Sequence, residues 1–328
     1  MATYKGIKGV KVQSKASDPT ASEATGTVWY NTVSTALKYA IQSTGAWASG
    51  GNLQQARSQA SGIGTPSAAL AVNGNAPPYS VNSETYDGTS WSEGNNSNTA
   101  SRNGRGTGTT TAAMAVGGWS SGGGVSTTQY YDGTSWTDQT GSLNRGGAKQ
   151  SFGIAGASQT SAMIFGGEPG TGHWTLTEEW NGTSWAAKNT LNSGRQGPVG
   201  TGIVTAALCI GGYSPGVVDQ VESFDGTSWT ETSTDINTAR GSLGGSGTST
   251  LCIIYGGGGP NAQTESFDGT SWTEVADLAT ARYDGANAQA PGNTNTQAMF
   301  IGGETPSYTA ITEEWTDPSY TIKTVTVS

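Results

Sequence analysis

The sequence predicts an all-β fold made from one short unit repeated along the chain. Three observations carry this reading. A five-residue phrase returns every 43–49 residues, an apolar run ending in paired glycines lies inside most intervals, and no sustained 3.6-residue apolar stripe with helix caps is present. The phrase reads Asp87-Gly88-Thr89-Ser90-Trp91, then Asp132 to Trp136, Asn181 to Trp185, Asp225 to Trp229 and Asp268 to Trp272. Ser43-Thr44-Gly45-Ala46-Trp47 is an earlier relative, and Thr316-Asp317-Pro318-Ser319-Tyr320 is a degenerate last copy.

Each unit reads as four short strands. The second is the apolar run before the glycines: Ala115-Val116-Gly117-Gly118, Ile164-Phe165-Gly166-Gly167, Cys209-Ile210-Gly211-Gly212, Ile254-Tyr255-Gly256-Gly257 and Phe300-Ile301-Gly302-Gly303, with Ala71-Val72-Asn73-Gly74 a weaker form. The third runs from a Glu seven residues before each anchor (Glu84, Glu178, Glu222, Glu265, Glu313, with Gln129 in the remaining copy) to the aromatic before Asp-Gly. Asp-Gly and Asn-Gly mark the hairpin, and the Trp opens the fourth strand. An Arg follows most anchors: Arg57, Arg102, Arg145, Arg195, Arg240 and Arg282.

Together these marks resemble the kelch repeat over about residues 27–328: an apolar strand ending in Gly-Gly, a Glu-x-aromatic-Asp strand, a Trp about six residues on, and an Arg before the next unit. The resemblance implies a kelch-type β-propeller, with four-stranded blades set around a channel. Six units carry the marks. Residues 1–49 are one further repeat length, holding Val28-Trp29-Tyr30-Asn31, Ala36-Leu37-Lys38-Tyr39 and Trp47 in matching order. Seven blades are therefore expected, with 1–49 a divergent first blade and 50–328 the other six. The alternative is six blades with 1–49 as an N-terminal β adaptor or docking segment. A strand shared between the chain ends is not evident.

The recurring residues read as scaffold. At fixed spacing the Trp is expected to pack between blades rather than to stack a sugar, the Gly to supply a positive φ, and Glu and Arg to pair. The phrase is similar to the sialidase Asp-box, but Ser223-x-Asp225 and Ser266-x-Asp268 are one residue short, and Arg105 alone lies outside the repeat positions. Galactose oxidase, the enzyme most associated with kelch blades, needs two histidines; His173 is the one histidine here. An imidazole metal site and Ser-His-Asp or Cys-His catalysis are thus disfavoured. Gly256–Gly259 is not followed by Gly-Lys-Ser/Thr, so phosphate cradling lacks support. No cofactor, no metal and no catalytic activity are expected.

Composition narrows the partners. Glycine is 51 of 328 residues, charged residues are 12%, and 15 bases face 24 acids for a net −9, which disfavours a nucleic-acid surface. Lys5, Lys8, Lys11 and Lys15 all precede the first acid, Asp18; they read as a solvated strand or a docking arm. No stretch approaches a membrane span, so no membrane insertion is expected, and the first residues lack an apolar signal core. Cys209 and Cys252 do not make a disulfide framework and are expected as buried thiols.

Information is concentrated where the repeat breaks. The segments after the double glycines differ almost completely and carry Tyr79, Trp119, His173 with Trp174, Tyr213 and Tyr308. These are the candidate ligand-binding residues, on the face opposite the Asp-Gly turns. Ala16-Ser17-Asp18-Pro19, Gly26-Thr27-Val28-Trp29-Tyr30-Asn31 and Leu37-Lys38 resemble a motif of phage tail and fibre proteins, particularly those of marine phages. That resemblance implies a non-enzymatic bacteriophage virion protein, on tail, fibre or capsid, assembled in the host cytoplasm in multiple copies beside other virion proteins. It would serve host-surface recognition, with a cell-surface glycan as ligand, or particle decoration. A secreted glycan-binding or glycan-modifying propeller and an intracellular kelch adaptor are the alternatives.

Overall fold

The computed structural model describes residues 12–19, 27–42, 45–77, 79–145, 151–168, 172–288, 293–317 and 320–325. Lys5, Lys8 and Lys11 lie outside them. No helix occurs among the described residues, and the strands fall into seven four-stranded sheets plus one two-stranded hairpin. The chain divides into two units, Ala46–Thr316 and a smaller one made of Met1–Gly45 with Asp317–Ser328.

The larger unit is a β-propeller. Blade 1 has strands Ser61–Thr65, Ala68–Val72, Ser83–Tyr86 and Trp91–Glu93, paired antiparallel in that order. Blades 2 to 5 repeat this plan, with second strands Ala112–Val116, Ser161–Phe165, Ala206–Ile210 and Cys252–Tyr255. Their fourth strands begin at Trp136, Trp185, Trp229 and Trp272. Second strands are buried on both faces, which is why they read as continuous apolar runs.

Blade 6 is closed by the other end of the unit. Ala286–Asn287, Gln297–Ile301 and Thr312–Thr316 take Ala46–Ser49 as their fourth strand, with Trp47 opposite Trp315. A terminal strand does seal the ring, although none was evident in the sequence. Trp47 is the anchor of the last blade rather than the first. Tyr320, which looked like a degenerate anchor, begins Tyr320–Thr324, a strand of the smaller unit.

The count of seven blades is corrected by backbone hydrogen bonds at the start of each inner strand. The amides of Gln59, Asn103, Ser151, Gly197, Ser242 and Asp284 each donate to the carbonyl of the preceding member, Gln59 to Asp284, at 2.6–3.2 Å. All six have φ between 53° and 62°. This collar closes on six members, one per blade. Six separate apolar clusters fill the six gaps between blades, such as Met163, Phe165 and Ala207 with Phe224 and Trp229 between blades 3 and 4. Inner strands approach closely because of glycine: a Cβ on Gly200 would lie 2.3 Å from the Ile154 carbonyl oxygen.

The smaller unit has a different topology. Gln13–Lys15 pairs parallel with Val28–Asn31, which pairs with Ala36–Gln42, which pairs with Tyr320–Thr324. The parallel pair needs a crossover, which no blade has. Its centre is Asp18, whose carboxylate accepts from Trp29 Nε1 (3.1 Å), Asn31 Nδ2 (2.7 Å) and Lys38 Nζ (2.7 Å). The Lys38 ammonium, followed by Asn31, holds the Asp18 carboxyl below its usual value. Trp29 is 1% exposed.

Candidate functional site

One face of the ring is uniform. In each Asp-Gly-Thr-Ser turn the carboxylate accepts two backbone amides, as Asp87 does from Thr89 and Ser90 at 2.8 Å each. Asn181 forms the same turn with its amide oxygen, at 2.9 Å. The glycine of each turn has φ of 91–95°. Backbone hydrogen bonds lower the carboxyl pKa of Asp87, Asp132, Asp225 and Asp268. Because the folded values lie below the unfolded one, this stabilisation is complete above the unfolded pKa and is lost as pH falls through the folded values. Replacing all four by Asn keeps the acceptor but removes the proton. The variant is expected to lose less melting temperature than the wild type between about pH 4 and pH 2; equal losses would contradict the assignment.

The anchor tryptophans join blades. Trp91, Trp185, Trp229 and Trp47 donate Nε1 to Thr312, Thr128, Thr177 and Thr264, each the first residue of the preceding blade's third strand, at 2.8–3.0 Å. For Trp272 that residue is Val221, and the Trp272 Nε1 has no partner. The Arg and Glu marks join five of the six inter-blade linkers to the blade that follows. Arg57–Glu84, Arg145–Glu178, Arg195–Glu222, Arg240–Glu265 and Arg282–Glu313 are buried ion pairs. Burial is the main cause lowering the Arg57, Arg145, Arg240 and Arg282 pKa values.

Blade 2 breaks this pattern, and there the reading of Arg102 as a repeat arginine is corrected. In blades 3 to 6 the second glycine donates to the carbonyl of the next repeat arginine, as Gly167 to Arg195 and Gly212 to Arg240. Gly74 donates instead to Ser101. Ser101 therefore holds the arginine position and Gln129 the glutamate position. With both charges gone together, a polar cavity of about 10 Å³, room for about one water, lies among Ser61, Asn73, Thr99, Ser101 and Gln129. Arg102 is displaced by one residue onto the collar face. Among the described residues Arg102 and Arg105 are the arginines without an ion pair.

The other face is where the chain varies. Its backbone is held by bridges such as Arg102 with Trp119, Gln196 with Tyr213 and Tyr283 with Glu304. Tyr79 is half-buried, with the Arg102 guanidinium 5.3 Å from its ring centroid. Trp119 opens a short hairpin, Trp119–Ser120 with Gly123–Gly124, and its amide donates to the Arg102 carbonyl at 2.8 Å. Tyr308 accepts from Asn75 Nδ2 at 2.8 Å. A groove of about 400 Å³ is lined by Asn75, Pro77, Tyr79, Ala100 and Ser121. Contacts thus connect Tyr79, Trp119 and Tyr308 around blades 1 and 2.

The remaining candidates lie elsewhere on this face. Trp174 stacks over Arg145 at 5.3 Å, so it also covers a buried ion pair. His173 is half-buried, and its Nδ1 has no hydrogen-bond partner. Tyr213 packs beside Gly197 and Gly241 near the collar. Burial raises its pKa, against a hydrogen bond with Ser242 that lowers it. The six residues do not converge on one constellation.

Sequence reasoning missed a polar cluster at the collar. Gln59 donates Nε2 to Asp284 Oδ2 at 2.9 Å and accepts from Arg102 Nη1 at 3.3 Å. Burial, opposed by Asp284, holds the Arg105 guanidinium below its ordinary value. Burial, followed by its hydrogen bond to Glu304, raises the Tyr283 phenol. Position carried the only signal: Gln59, Gly197, Ser242 and Asp284 each lie two residues after a repeat arginine, and Asn103 two after Ser101.

Among the described residues no group of three or more His, Cys, Asp or Glu side chains is arranged to hold a metal. Cys209 and Cys252 are buried free thiols, both pushed up to about 12 by burial. Thiol titration of the denatured protein without reductant is expected to return two per chain; zero would contradict the assignment. A comparison with protein-family models finds none that matches the chain, and a comparison with curated proteins likewise finds no match.

Proposed function

We propose that the chain is a kelch-type propeller of a bacteriophage virion. Its variable face would recognise the host surface, and its smaller unit would attach it to the particle beside other virion proteins. The observation that carries the reading is the contrast between the two faces. The turn face repeats one hydrogen-bonded turn, whereas the collar face varies from loop to loop and carries Tyr79, Trp119, Trp174, Tyr213 and Tyr308 in five of its six loops. Rigid aromatic rings with Ser, Gly and Asn around them are the mixture that binding loops use. The attachment half of the proposal is supported by Asp18, Trp29, Asn31 and Lys38. These belong to the motif resembling phage tail proteins, and they form one hydrogen-bonded group in a unit separate from the ring.

No catalytic constellation enters this reading, so recognition is proposed without chemistry. Two observations test it. The gene is expected to lie among capsid and tail genes, and antibody raised against the chain is expected to label purified particles. A gene set among export and polysaccharide-degradation genes, with no labelled particles, would instead favour a secreted glycan-binding propeller.

A further inference from the structure

We propose that the groove of blades 1 and 2 binds a saccharide that carries a carboxylate, with Arg102 as the charged contact and Tyr79 as the stacking platform; this rests on the recognition reading above. Five of the seven arginines are locked to glutamates inside the ring. Blade 2 has given up that pair for Ser101 and Gln129, yet it keeps an arginine one residue on. A half-buried guanidinium retained without a structural carboxylate is poised to accept one from a ligand.

Its surroundings fit that task. Arg102 has one hydrogen bond from its guanidinium, Nη1 to the neutral Gln59 oxygen at 3.3 Å, and its Nε is buried with no partner. Of the five guanidinium N–H donors, one is used by Gln59 and the one on Nε is buried without a partner. The cation rests against the Tyr79 ring, which also fixes that ring as a wall of the groove. Arg105 adds a second positive charge next along the blade, and Asp284 is the acid both approach, through Gln59 for Arg102.

The groove itself argues for a sugar over a bare anion. About 400 Å³ suits one or two pyranose rings, within the usual range for small-ligand sites. Tyr79, Pro77 and Ala100 offer apolar contact to ring C–H groups, and Asn75 and Ser121 offer hydrogen bonds to hydroxyls. The Asn75 amide is already oriented by Tyr308.

The test is calorimetric titration of the whole protein at low salt with two acidic probes and their neutral counterparts. These are oligogalacturonate against its methyl ester, and sialyllactose against lactose, with acetate as the bare carboxylate. At least one acidic saccharide is expected to bind tenfold or more tightly than its neutral counterpart and than acetate. Arg102→Gln is expected to bring acidic and neutral probes within about twofold, Arg102→Lys to fall between, and Tyr79→Ala to lose both. Melting curves of the variants check that each is folded. No acidic preference in the wild type overturns the proposal, as does a preference that survives Arg102→Gln. Neutral probes that bind, and lose binding in Tyr79→Ala but not in Arg102→Gln, overturn the charge assignment and leave the recognition reading standing. Acetate binding as tightly as the saccharides marks a simple anion site and overturns the saccharide.

Discussion

Glu222→Ala is expected to lower the unfolding free energy by about 3–5 kcal/mol, because it leaves the Arg195 charge buried without a partner. The Glu222 carboxylate gathers four donors from one linker: the Asn192 amide (2.7 Å) and side chain (3.0 Å), the Ser193 amide (3.2 Å) and Arg195 Nη2. That linker carries the chain from blade 3 to blade 4. The loss reaches beyond one ion pair to the order of a crossing. Chemical denaturation measures it. Blade 2 supplies the control, since Ser101 and Gln129 show how a blade tolerates losing both charges at once. Arg195→Ser with Glu222→Gln is therefore expected to cost clearly less than the sum of the two single changes. A double variant as unstable as that sum would show that the pair acts through something other than charge compensation.

Trp229→Ala is expected to cost a similar amount, about 3–5 kcal/mol. Its ring sits in the core between blades 3 and 4, 4.7 Å from the Phe165 centroid and 5.1 Å from that of Phe224. Its Nε1 donates to Thr177 of the preceding blade. Truncation leaves a cavity at a blade interface and orphans a buried hydroxyl. In a closed ring, loosening one interface strains the other five. A lowered melting temperature is the expected readout. Unchanged melting would show that the anchor tryptophans are not scaffold.

The four-stranded unit was legible because its marks do separate physical jobs at fixed spacing. The Asx turn needs Asp or Asn followed by Gly, the second strand needs an apolar run because it is buried on both sides, and the anchor must be wide enough to span an interface. Closure was not legible. Trp47 marks Ala46–Ser49 as a fourth strand like the others, but the order of blades in the chain hides that it belongs with Trp315. The smaller unit was mistaken for a blade because Val28–Asn31 and Ala36–Gln42 form a hairpin like those of the blades, while its parallel partner lies across a crossover.

The collar face was legible only as variation. The collar residues share a backbone conformation and not a side-chain type. Asn103, Gly197 and Asp284 suit a positive φ, whereas Gln59, Ser151 and Ser242 give no hint of it. Arg102 was read as a repeat residue because it misses the true position by one. Its side chain differs from the buried arginines only once Ser101 and Gln129 are seen as a matched loss. Trp174 carries two readings at once, facing the variable side while covering Arg145. It is therefore a poor place to test recognition without disturbing the fold.

The claim that one face of the ring is scaffold and the other recognises a surface is tested most directly by a paired substitution. Tyr79→Ala with Trp119→Ala removes two half-buried aromatics of the collar face, and Thr134→Ala alters an exposed position in a turn of the opposite face. Binding of the purified protein to host cells or isolated envelopes is measured for the wild type and both variants, alongside their melting temperatures. Binding is expected to fall at least tenfold for the collar-face pair and to stay at the wild-type level for Thr134→Ala, with both variants folded. Equal binding by all three proteins would contradict the account.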